Sequence, residues 1–223
     1  MGEALRTQAL LRLMAWMSPA FPIGGFAYSG GLERAVHDRL VEDAAGLECW
    51  LVTILRHGNV WNDAMLFAEA WRQHENEAAL AELSEFALAL AGSGQRYLET
   101  LSLGRAFIAA ARAWPGEVFD RLPCDIPFPV AVGAVAAAHA VPVRDALAAH
   151  LHAALSQYIS AGIRLGACGQ VDGVAMLAAL EHDILAVADR AASGALDDIG
   201  TSCIQAEVVS LRHETQHSRL FRS

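Results

Sequence analysis

Residues 143–165 read VRDALAAHLHAALSQYISAGIRL, and the class of the fold turns on them. Leu147, Leu151, Leu155, Tyr158 and Ile159 recur at three- and four-residue intervals, which gathers them on one face of an α-helix. That spacing predicts a long central helix from Val143 to about Leu165, with Pro142 at a first-turn position where a missing N–H costs nothing. Pro129 suits the start of the helix before it in the same way.

The same reading extends in both directions. Leu10, Leu13, Met14 and Met17 predict a first amphipathic helix that Ser18-Pro19 ends. Asp43 caps a second, with Leu47, Trp50, Leu51 and Ile54 as its stripe and Gly58 past its end. Asn59 to about His74 carries Trp61, Met65, Ala68 and Trp71 on one side. Glu77–Ala91 and Gln95–Trp114 are helical blocks separated by Gly92-Ser93-Gly94, a kink or a full break. Residues 115–129 hold four of the seven prolines and form the longest irregular connection. Val174, Leu177, Leu185 and Ala188 predict one helix from about Asp172 to Ala192, and a last one runs from Ser202 to near His213. Strand-like alternation is not sustained anywhere, and alanine is abundant. The expectation is an all-α, single-domain bundle of roughly nine to eleven helices over residues 1–223.

Composition narrows the function. A net charge of −9, with Lys and Arg scattered rather than striped, argues against nucleic acid as a partner. Apolar runs such as Val130–Val143 are interrupted and too short to span a bilayer, so no membrane association is expected. MGEALRTQAL has no basic region followed by an apolar block, so no signal peptide is expected and the cytoplasm is the default location. Cys49, Cys124, Cys168 and Cys203 lie far apart without a C-x-x-C pair, and read as reduced, buried, structural thiols.

One motif names a chemistry. His213-Glu214-Thr215-Gln216-His217 spells H-E-x-x-H, the spacing by which a helix presents two imidazoles to zinc with a Glu as general base. A third ligand is then needed, and Ser218–Ser223 offer no His, Asp, Glu or Cys. His150 and His152 face different ways on their helix, while His139 and His182 sit in apolar runs and read as structural. A zinc-dependent hydrolase is therefore the alternative reading, and neither a catalytic residue nor a bound cofactor or metal is expected. The glycines around FAYS lack the pattern of a phosphate cradle, and Ser29 in Tyr28-Ser29-Gly30 is not in a nucleophile elbow.

Two segments break the helical pattern with specific letters. Residues 18–33, SPAFPIGGFAYSGGLE, place Tyr28 and Glu33 beside permissive backbone. Residues 213–223 end in Arg219, Leu220, Phe221 and Arg222, too apolar for a solvated end and attached to no obvious core, which reads as a docking segment that orders on a partner.

These two segments, with SAGIRLGACGQ at 160–170 between them, closely resemble the urease accessory protein UreF family over the whole chain. The resemblance implies an all-α cytoplasmic maturation factor that is not itself an enzyme. Such a protein forms a homodimer, pairs with the accessory protein UreD (also called UreH), recruits the GTPase UreG to apo-urease and helps route nickel to the urease centre. By position, Tyr28 and Glu33 match the segment implicated in the GTPase-facing surface, and Arg164 and Gln170 match a basic residue and a Gly-Gln step of the family. The tail from His213 through Glu214, Arg219, Leu220, Phe221 and Arg222 matches the end that meets UreD. Three positions depart from the family: Ala27 stands for Ser, Gly166-Ala167-Cys168 replaces an apolar-Pro-apolar step, and Gln95 stands where an acid is expected, which bears on a charged contact to the GTPase. Tyr28 and Glu33 lie on no predicted core stripe, so both are expected to be dispensable for folding.

Overall fold

The computed structural model describes residues 3–223. Every regular element among these residues is helical: α1 (Glu3–Trp16), α2 (Leu32–His37), α3 (Ala44–His57), α4 (Asn59–Arg72), α5 (Glu77–Ala89), α6 (Gly94–Ala111), α7 (Val118–Arg121), α8 (Phe128–Ala138), α9 (Val143–Arg164), α10 (Gln170–Ala179), α11 (Glu181–Ser193) and α12 (Ile204–His213). Short 3-10 turns occupy Gly25–Ala27 and Leu196–Asp198.

The innermost helix is α8 rather than the long α9. Each residue from Pro129 to Ala137 is buried, as expected of a helix that is apolar all round. Its closest partner is α4, where Gly133 lets the two backbones meet: a Cβ there would stand 2.3 Å from the Phe67 carbonyl oxygen. Around this pair, α9 lays Leu147, Leu151, Leu155 and Ile159 into the core, and α3 contributes Leu47, Leu51, Ile54 and Leu55. Asp43 accepts the Gly46 N–H at 2.8 Å and starts α3 as expected. Gly58 ends that helix and begins α4 in one residue, its backbone extended and packed within reach of Cys203 Sγ. The break at 92–94 is real, since Ser93 caps α6 by accepting the Arg96 N–H.

Two stripes differ from the sequence reading. In α1 the buried side chains are Ala9, Leu13 and Trp16, and Leu10 and Met14 are exposed. Trp16 decides this, because its indole meets Phe107 and Trp114 edge to face. Residues 172–192 form two helices instead of one, joined at Leu180, and the buried series is Met176, Leu180, Ile184, Val187, Ala188 and Ala191; of the predicted stripe Ala188 is buried and Leu177 half-buried, with Val174 and Leu185 outside. Nor are the thiols uniformly buried: Cys203 is, Cys168 is half-buried, and Cys49 and Cys124 are exposed.

Helix α8 closes with Ala140 N donating to Ala137 O at 2.8 Å and Val141 N to Ala136 O at 3.0 Å. This paired closure needs a left-handed residue, and Ala140 supplies it at φ +54°. Left-handed backbone costs an L-residue roughly 1 kcal/mol, of which glycine's larger unfolded-state entropy cancels part. Ala140→Gly is expected to stabilise the fold by about 0.5 kcal/mol, raising Tm by roughly 1–2 °C. A lowered Tm in thermal melts would refute the account of this turn.

Candidate functional site

The two segments that break the helical pattern lie against each other. Gly24, Gly30 and Gly31 all take positive φ, so residues 24–31 turn sharply and deliver Glu33 to the first turn of α2. Gly30 is doubly constrained, because a Cβ there would stand 2.2 Å from the Tyr158 hydroxyl. Tyr28 and Glu33 are each only 7% exposed, so both belong to the interior, against the expectation of two dispensable surface residues.

Glu33 is the hub. Its Oε1 accepts the Leu220 N–H at 2.6 Å, and Oε2 accepts the Phe221 N–H at 3.0 Å and His213 Nε2 at 3.0 Å. His213 is fully buried, and its Nδ1 lies 2.7 Å from Gln95 Oε1. Burial alone would push the Glu33 carboxyl up; the His213 hydrogen bond and the two backbone N–H groups more than reverse this and leave it below the ordinary carboxylate value.

The remaining contacts fix the tail on both sides. Arg222 N donates to Ala27 O at 2.8 Å, and Ser29 N donates to Ser223 O at 3.0 Å, joined by the Ser29 hydroxyl. Phe221 is 4% exposed, and the Arg164 guanidinium stands 4.2 Å above its ring while donating to Phe26 O at 2.6 Å. One arginine therefore clasps the tail and the glycine-rich turn together. The tail has a core after all, and that core is the turn near residue 29.

Beneath the tail runs a buried polar chain. Ser223 Oγ accepts the Gly30 N–H at 3.2 Å and donates to Glu99 Oε2 at 2.8 Å; Glu99 pairs with Arg96 at 3.3 Å, and Arg96 pairs in turn with Asp63. Burial pushes the Glu99 carboxyl up, and burial with the nearby Glu99 pushes the Tyr158 hydroxyl to about 12. His150, packed between Phe67 and Phe128, is driven by burial down to about 4 and so is neutral. Asp63, Arg96, Glu99, His150 and Tyr158 line a cavity of about 470 Å³ together with Phe21, Ile23 and Phe128. Among these charges Arg96 stands between two carboxylates, Asp63 and Glu99.

Of the residues singled out in the sequence, Tyr28, Glu33, Arg164, His213, Leu220, Phe221 and Arg222 come together. Glu214 joins at the edge, accepting the Gln95 N–H at 3.3 Å. Arg219 is exposed beside the cluster, and Gln170 opens α10, exposed and without a hydrogen bond to it among the described residues. Sequence reasoning misses Glu99, Arg96, Asp63 and the role of Ser29, whose hydroxyl meets the Ser223 carbonyl rather than serving as a nucleophile. Gln95, noted there as a missing charge, is the hydrogen-bond partner of a histidine.

The zinc alternative does not survive this geometry. Helix α12 ends at His213, so His213 and His217 do not share a helical face, and both His213 nitrogens are engaged within the chain. His182, read as a structural histidine, has an exposed side chain. Among the described residues no group of three or more His, Cys, Asp or Glu is arranged to hold a metal ion.

Comparison with known proteins agrees with the resemblance. The UreF family profile matches residues 41–181. The urease accessory protein UreF of Rhizobium etli (strain CIAT 652) is 62% identical over 216 residues, 97% of each chain. That of Agrobacterium fabrum is 60% identical over 215 residues, 96% of each. Urease accessory protein UreF 1 of Brucella suis is 55% identical over 217 residues, covering 97% of this chain and 95% of that one.

Proposed function

Since the chain belongs to the urease accessory protein UreF family, we propose that it is a non-catalytic assembly platform of urease maturation. In this reading it acts in the cytoplasm as a homodimer, pairs with UreD (UreH), recruits the GTPase UreG to apo-urease, modulates GTP hydrolysis and helps deliver nickel. One observation carries the reading: Glu33, on the segment that the family resemblance assigns to the GTPase, receives the backbone of Leu220 and Phe221, on the segment it assigns to UreD. A partner that pulls or braces the tail therefore acts on the turn that faces the other partner. No helix among the described residues is long and apolar enough to cross a membrane, which is compatible with such a location.

The clasp leaves Arg219, Leu220 and Arg222 pointing outward while Phe221 and Ser223 point in. Exposed arginines can offer planar forks to a partner's carboxylates or carbonyls. Arg219→Glu with Arg222→Glu is expected to leave Tm within about 4 °C of wild type, since exposed changes seldom exceed about 0.5 kcal/mol each. The same protein should lose co-elution with UreD, and with it UreG. Failure of the wild-type chain to co-elute with either, at micromolar concentration and low salt, would end the platform reading.

A further inference from the structure

Helix α12 shows most of its apolar character to solvent. It buries Val209 and His213, whereas Ile204, Val208 and Leu211, spaced i, i+4, i+7, form an outward stripe, with Ile204 75% exposed. The turn between α5 and α6 abuts this helix: Ser93 Oγ lies 2.9 Å from Ser210 Oγ, and a Cβ on Gly92 would stand 2.4 Å from Glu207 Oε2. Leu90 caps the end of α5 and Leu98 lies in the second turn of α6, both exposed, with Phe86 one turn before Leu90. Exposed apolar side chains on α12 and on the ends of the two helices joined by the turn that abuts it leave a surface awaiting cover.

The charge around it says what covers it. Glu82 lies one turn before Phe86, Glu85 is beside it, and Glu207 and Glu214 border the α12 stripe. None of the four has a cationic partner among the ion pairs of the described residues, although Arg212 nearby is taken by Asp38. A second copy of this face would bring like charges together, and an anionic lipid surface would be repelled. We propose that this face docks an amphipathic helix of a partner protein, its apolar stripe flanked by Lys or Arg. The proposal rests on the platform reading and adds a second interface to it, separate from the outward arginines of the tail.

The test uses the full chain with purified UreD and with purified UreG. Val208→Ala with Leu211→Ala should lower affinity for one of the two by at least about tenfold, with helical content unchanged because both side chains are exposed. Glu85→Lys with Glu207→Lys should weaken the same complex comparably at about 50 mM salt and flatten its salt dependence up to about 300 mM, since the lost attraction is a screened one. Wild-type affinity of both double variants for both proteins overturns the proposal, as does co-sedimentation of the wild-type chain with phosphatidylglycerol vesicles that the variants abolish. A wild-type chain that binds neither protein defeats the platform reading itself, and is thereby distinguished from a failure of this face alone.

Discussion

Glu33→Ala is expected to cost about 3 kcal/mol or more and to release residues 219–223 from the body of the protein. The substitution leaves the Leu220 and Phe221 N–H groups without their acceptor and strips the buried His213 of its carboxylate, and losing one partner of a buried, hydrogen-bonded pair costs about 3–5 kcal/mol. For a chain of this length that is a fall in Tm of roughly 6–12 °C. Hydrogen exchange should report fast Leu220 and Phe221 amides in the variant and protected ones in the wild type. The pH dependence has a definite sign. Glu33 is more acidic folded than unfolded, so its contribution is complete above the ordinary carboxylate value of 4.5 and is lost as pH falls through the lower folded value. Acid should thus loosen the tail of the wild type and have little further effect on Glu33→Ala. An unchanged Tm with protected amides would mean that Glu33 is not the hub.

Gly133→Ala is the other large effect. Its Cβ would stand 2.3 Å from Phe67 O and 3.1 Å from Ala70 Cβ, and the nearer atom is helix backbone that cannot rotate aside. Helices α4 and α8 must part, which opens voids along the most buried pair in the core. A cost of roughly 3 kcal/mol is expected, well above the approximately 1 kcal/mol that alanine returns in helix propensity. Gly200→Ala is the control: nothing lies within 4 Å of its Cβ and its φ is not positive, so stability should be unchanged. Equal melting of Gly133→Ala and wild type in differential scanning calorimetry would show that the close approach is not tight.

How much of this was legible beforehand depended on whether the signal was local. The start of α3 was readable because Asp43 caps through a bond three residues away, whereas Gly92-Ser93-Gly94 read equally as a kink or a break until the Ser93 cap on Arg96 N–H settled it. The stripe of α1 was misjudged because its weight lies in Ala9 and Trp16, and only Phe107 and Trp114, far along the chain, reveal which side Trp16 faces. The joint at Leu180 carries neither glycine nor proline, so nothing in the letters marked it. The site was half visible. Glu33 and Phe221 each stood out, but 188 residues separate them and no periodicity links a turn to a tail. Glu99 and Arg96 were hidden for the same reason, since a buried ion pair on one helix reads as an ordinary solvated pair until Ser223 is found above it.

The clasp between Ser29 and Ser223 also sets a clock. The two residues are 194 positions apart, so during synthesis at about 5–20 residues per second the glycine-rich turn leaves the ribosome on the order of 10–40 s before the tail that closes it. Throughout that interval Glu33 lacks the Leu220 and Phe221 N–H groups and the Ser29 hydroxyl lacks the Ser223 carbonyl. The nascent chain therefore passes through a stage, long on the scale of helix formation, in which its turn is open to whatever else is in the cell.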